Sequence, residues 1–153
     1  MSKNDFDFFH GRWRVANRKI ADIVGRGTDW VEFEATSECR PVLGGAANID
    51  NLLADGWEGM TLRQYDPSAD VWRIWWASTR APGHLDPPLE GRFTDGHGVF
   101  FGDDVVGGHA VKLRFDWTAG DEPVWQQQFS YDGGETWETN WVMRFTRAEL
   151  DAV

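Results

Sequence analysis

Apolar and polar residues alternate with a period of two along most of this chain. Over residues 30–40, Val31, Phe33, Ala35, Ser37 and Cys39 share one face, and Glu32, Glu34, Thr36 and Glu38 share the other. That pattern marks a strand half-buried against a core, with a solvated outer face. The acidic run therefore reads as surface rather than as a site. Residues 109–117 repeat the pattern through Val111, Leu113, Phe115 and Trp117. Over 71–79, Trp72, Ile74 and Trp76 oppose Arg73 and Trp75. Further strands are expected over 11–20, 48–53, 57–65, 89–94 and 98–102. The breaks between them carry turn chemistry: Gly25-Arg26-Gly27, Gly44-Gly45, Asp55-Gly56, Asp66-Pro67, Asp95-Gly96 and the stretch 103–108. Helix is confined to one turn within 5–11, where Phe6, Phe8 and Phe9 are placed to plug a barrel end, and to a frayed turn over 146–153. Residues 80–88, the longest irregular stretch, read as a rim or lid loop.

The strongest single signal lies over 124–145. Two alternating, aromatic-rich runs flank Asp132-Gly133-Gly134, which predicts a β-hairpin. Ser130, Asp132, Gly134, Thr136 and Trp137 match an Asp box, Ser-x-Asp-x-Gly-x-Thr-Trp. That motif resembles a folding device on hairpins of unrelated proteins, sialidases among them. Its Asp accepts hydrogen bonds from the turn and its Trp packs beneath. The motif reads as structural, not catalytic.

About ten strands with short connections predict an all-β, antiparallel, up-and-down meander. Closing such a meander into a barrel removes both free edges. Ten strands enclose more space than ordinary side chains fill, so a cavity is expected. Composition agrees: ten Trp and ten Phe in 153 residues need a large enclosed space, an interface, or both. The length suits a single domain spanning 1–153. A net charge of −10 argues against nucleic acid and against an anionic membrane surface. One cysteine, Cys39, excludes an internal disulfide, and its place on an apolar face reads as core. A start of Met-Ser-Lys-Asn-Asp and the lack of an apolar run near 18 residues lead us to expect a cytoplasmic protein.

Gly11-x-Trp13, opening the first strand, is similar to the lipocalin signature, whose Trp packs across the barrel's closed end. The wider pattern adds Phe9, Arg40-Pro41-x-Leu43-x-Gly45, Gly59-Met60-Thr61-Leu62-Arg63, Tyr65-Asp66-Pro67 with Trp72, and Pro87-Pro88-x-x-Gly91-x-Phe93. It ends with Phe129-Ser130-x-Asp132-Gly133-Gly134-x-Thr136-Trp137-Glu138-Thr139-Asn140-Trp141. Together these resemble a family of small bacterial calycin-type (lipocalin-like) proteins of unknown function. The resemblance covers nearly the whole chain. It implies a β-barrel with a ligand-sized interior, and no reaction.

Candidate ligand-binding residues are Arg63, Trp76, Arg80, Glu138, Asn140 and Trp141. Arg63 and Asn140 lie mid-strand between aromatics, where a few convergent polar groups in an aromatic box would select a small molecule. The competing reading is that they face outward, and register decides, because a one-residue slip inverts the face. In the last strand the inner set is either Trp137, Thr139, Trp141, Met143 and Phe145, or Glu138, Asn140, Val142 and Arg144. The first, more apolar, is the one expected inside. A buried Arg63 needs an acid: Asp50 or Glu138 would make the pair structural, and otherwise Arg63 would anchor a ligand carboxylate or enolate.

His10, His84, His97 and His109 show no metal-ligand spacing, and Asp103-Asp104 lacks the other positions of a calcium loop. A haem barrel like the nitrobindins would need His84 or His109 as axial ligand, and a lone His is more often a turn residue. No cofactor is expected. Binding of a small, partly apolar molecule is therefore the leading expectation. The alternative is a cofactor-free isomerase, cyclase or lyase, with Arg63 or Arg80 stabilising negative charge and Glu138 or His84 moving protons. A homodimer through Trp30 or Trp75 is a third reading.

Overall fold

The computed structural model describes residues 3–148. Ten antiparallel strands form one closed barrel in simple sequence order, with the last strand returning to pair with the first. They are β1 (Gly11–Ile20), β2 (Trp30–Val42), β3 (Ala47–Ala54), β4 (Trp57–Asp66) and β5 (Val71–Ser78), then β6 (Leu89–Thr94), β7 (His97–Val106), β8 (His109–Thr118), β9 (Val124–Ser130) and β10 (Glu138–Arg147). Short 3-10 turns occur at Asp7–Phe9 and Leu43–Gly45. No helix among the described residues is long and apolar enough to cross a membrane.

The alternation seen along β2 is realised in space over its middle: Ala35, Ser37 and Cys39 are buried and Phe33 half-buried, while Glu32, Glu34, Thr36 and Glu38 are exposed. Val31, expected on the buried face, is exposed at the start of the strand, where it pairs with Lys19. The expected plug is also present at the end where β1 begins. Phe6 and Phe9 are fully buried beneath Trp13, Trp72, Phe93, Trp117 and Phe145, with ring centroids 4.8–5.6 Å from Phe6 or Phe9. Trp13 donates its indole N–H to the Phe9 carbonyl at 2.8 Å. The Arg147 guanidinium covers the other side of Trp13 at 3.8 Å and donates to the carbonyls of His10 and Phe8. These contacts tie both ends of the chain to one floor. Truncating a buried aromatic of this kind typically costs about 3–5 kcal/mol.

Three expectations are corrected. First, residues 103–108 do not form one turn: β7 runs on to Val106, and only Gly107 and Gly108 turn, both at positive φ. The Asp103-Asp104 pair suggested a turn, but ladder pairing to Lys112 and Val111 extends the strand. Second, Thr146 and Arg147 are strand, held by pairing to Arg14 and Trp13; residues 149–153 lie outside the described residues. Third, neither face assignment for β10 holds throughout. A β-bulge lies at Asn140, between the pairs Thr139–Gln128 and Trp141–Gln127. Trp141, Met143 and Phe145 point inward as expected, whereas Thr139 is exposed and Trp137 stacks outside against Phe101. The extra residue lets both Asn140 and Trp141 be buried, which strict alternation forbids.

The ladder is weakest between β5 and β6, where only Trp72, Ile74 and the intervening Arg73 find partners. Beyond Ile74 the strands part, and residues 79–88 fill the gap. The Asp86 amide donates to the Trp76 carbonyl at 2.9 Å and pins that loop to the rim.

Candidate functional site

Between floor and rim the barrel encloses a cavity of about 260 Å³. Its middle is aromatic. Trp76, Trp125 and Trp141 line it together with Phe115 and Phe129. Trp141 lies 5.5 Å from Trp125 and 6.5 Å from Trp76, both nearly perpendicular to it. Trp57 stands next to Trp76 and Trp141 at 6.3 and 6.1 Å. Edge-to-face packing of this kind fixes the ring positions around the cavity. Gly59 makes Trp76 possible: a Cβ on that residue would lie 1.9 Å from the indole ring. Trp141 is held from behind by Asn17, which accepts its indole N–H at 2.9 Å.

Near the floor, β2, β3 and β4 contribute Ser37, Asp50, Thr61 and Arg63. Of the two acids considered for Arg63, Asp50 is the one that reaches it, at 2.6 Å. Asn48 accepts a second bond from the guanidinium at 2.9 Å and also receives the Cys39 thiol at 3.6 Å. The rings of Phe6, Phe9 and Trp117 surround the guanidinium at 5.2–5.4 Å. Burial pushes the Cys39 thiol up to about 12, so it is a neutral core group. Arg63 Nε and Asn48 Nδ2 have no partner among the described residues.

The mouth is built differently. Lys19 ends the inward series Trp13, Val15, Asn17 on β1, and its ammonium lies 4.5 Å from the Trp141 ring centroid. Burial first, and then the charge of Arg80, lower its pKa. Arg80 itself is exposed on the rim, its guanidinium 4.4 Å from the Trp57 ring. Asp86 and Asp104 line another part of the opening. Burial raises the Asp86 pKa, the Asp104 charge adds to this, and His84 at 3.2 Å opposes it. The β1–β2 connection folds over part of the mouth: Ile23 lines the cavity, and Val24 packs where a Cβ on Gly107 would be 2.9 Å away.

The six sequence candidates thus separate. Trp76, Trp141 and Arg63 line the cavity. Asn140 is buried through the bulge and accepts from Gln127, itself a lining residue, at 2.9 Å. Arg80 stands on the rim. Glu138 is half exposed and pairs with Arg26 at 2.7 Å, so it is not brought to Arg63. Lys19, Trp125, Gln127 and Asp86 were not singled out from the sequence, and Asp104 was weighed only for calcium, not as a cavity residue. Alternation along β1 carried the signal for Lys19, whereas reading 103–108 as a turn hid Asp104. His97 pairs with Asp116 at 3.2 Å on the outside, and His109 is exposed. Trp30 and Trp75 are half-buried, Trp30 beneath the Arg18 guanidinium at 4.7 Å. Among the described residues, no group of three or more His, Cys, Asp or Glu side chains is arranged to hold a metal ion.

The hydrogen bonds expected of an Asp box are present. Asp132 accepts from the amides of Glu135 and Thr136 and from the hydroxyls of Ser130 and Thr136. Its pKa is strongly lowered, chiefly by the Thr136 hydroxyl and amide. Every one of these bonds stays within the turn, which supports a structural role. No known family model matches this chain, and no curated protein matches it.

Proposed function

We propose that this chain is a single lipocalin-like barrel domain of the calycin type that binds one small, partly apolar organic molecule inside the barrel. One observation carries the reading: a cavity of about 260 Å³ lined by Trp76, Trp125 and Trp141, with Trp57 packed against two of these rings. A core evolved only for stability would be filled, because each unfilled volume forfeits contacts. The cavity sits at the small end of ligand pockets, which run from about 300 Å³ upward. It therefore suits a molecule of one or two fused rings. Trp76 and Trp141 would supply the walls, with Gln127, held by Asn140 behind it, as a hydrogen-bonding group. The enzymatic alternative asks an acid or base to meet a cation within reach of one another. Arg63 is matched by Asp50 and Glu138 by Arg26, so binding is the reading we advance.

The test is native mass spectrometry of the full chain against a panel of neutral, anionic and cationic one- and two-ring metabolites, with tryptophan fluorescence in parallel. We expect a 1:1 complex that quenches the indoles and that Leu113→Trp, which fills the cavity, abolishes. Failure of every panel member to form such a complex would sink the reading.

A further inference from the structure

We propose that the mouth of the cavity selects an organic anion, a flat aromatic carboxylate held by Lys19 and Arg80, with its ring system between the indoles below. This deepens the binding reading and rests on it. The two cations stand on neighbouring rings: Lys19 on Trp141, Arg80 on Trp57, with those rings 6.1 Å apart. Elsewhere, inward or partly buried guanidinium groups are matched with acids: Arg63 with Asp50, Arg73 with Asp66 and Glu90, Arg114 with Asp116. Among the described residues Lys19 and Arg80 have no ion pair, although the chain carries 25 acidic residues. Other arginines without an acid, such as Arg18 and Arg147, are exposed and do not line the cavity; Lys19 instead faces it.

Lys19 is partly desolvated and feels the charge of the exposed Arg80, and an anion between the two cations would offset that cost. The Arg80 fork would meet a carboxylate side-on, and Lys19 would supply the point charge. The indole faces hold both heads in place before the ligand arrives. The acids of the opening do not cancel this cationic side. Asp86 interacts with Asp104 and His84, and neither acid forms an ion pair with Lys19 or Arg80. A ligand entering with its ring system first would leave its carboxylate at the rim, between the two cations.

The experiment compares 2-naphthoate with its neutral isostere 2-naphthamide by calorimetry on the full chain. We expect the acid to bind at least about tenfold tighter, the scale of one charge-assisted hydrogen bond. The double variant Lys19→Met, Arg80→Met should weaken the acid far more than the amide and so remove the difference between the two. Added salt should weaken the acid alone, a measurement made on the unmutated protein should the variant fold poorly. Equal affinity for acid and amide would overturn the anion assignment while leaving the cavity reading standing. Failure of both probes to bind would also overturn the assignment of a flat aromatic carboxylate, while the cavity reading is decided by the full panel.

Discussion

Two cations point into this barrel, Arg63 near the closed end and Lys19 near the open one, and they are completed in opposite ways. Arg63 is 3% exposed, ion-paired with Asp50, bonded to Asn48 and surrounded by three rings. Lys19 is half-buried against a single indole, with another cation as its electrostatic neighbour. A buried charge must be matched by the protein or by something the protein binds. At the floor the chain supplies the match itself, and the result is structure. At the mouth Lys19 has no acid partner among the described residues, and the proposed anion site rests on that difference. Inward direction alone therefore does not distinguish a binding cation from a structural one; the company it keeps does.

The largest effect should come from breaking the floor pair. Asp50→Ala leaves the Arg63 charge buried and unmatched, and we expect a loss of about 3–5 kcal/mol in urea denaturation. Pairing Asp50→Leu with Arg63→Met should recover most of it, since an apolar pair of similar volume removes both desolvation costs. A loss below about 1 kcal/mol for Asp50→Ala would mean that the floor charge is not held as described.

A smaller effect is expected at the open end, in the hairpin that carries the Asp box. Asp132→Ala should lower the melting temperature at neutral pH. The folded-state pKa of Asp132 is depressed, so its contribution is fully present above the unfolded value of about 3.9 and is lost as pH falls below it. The gap between variant and parent should accordingly narrow in acid. A gap independent of pH would show that the carboxylate charge is not what organises the turn.

The smallest effect on stability should come from Lys19, and its sign sharpens the contrast. Lys19→Met should leave stability within about 0.5 kcal/mol of the parent or raise it. The folded pKa of Lys19 is lowered, so the unfolded chain binds more protons in the window between that value and about 10.4. Stability of the parent relative to Lys19→Met should therefore rise with pH through that window, as thermal melts from neutral to alkaline pH would record. A clear destabilisation by Lys19→Met would place Lys19 with Arg63, as a structural group.

The sequence by itself determined the architecture, because strand period and turn chemistry are local. Alternation along residues 30–40 set which face of β2 is buried, and glycine-bearing turns such as Asp55-Gly56 and Asp95-Gly96 marked where strands reverse, although Asp103-Asp104 did not. Trp13 and the Phe6–Phe9 segment marked the closed end, and Ser130 to Trp137 carried its own turn. Tertiary structure alone decided which polar groups share the interior. The bulge at Asn140 depends on pairing with Gln127 and Gln128, and it changes the facing of half a strand in a way periodicity does not encode. The choice of Asp50 over Glu138 for Arg63, and the meeting of Lys19 with Arg80, join residues from different strands or loops whose proximity exists only once the barrel has closed. Local preferences act over a few bonds, whereas the electrostatic character of a cavity is a sum over walls far apart along the chain.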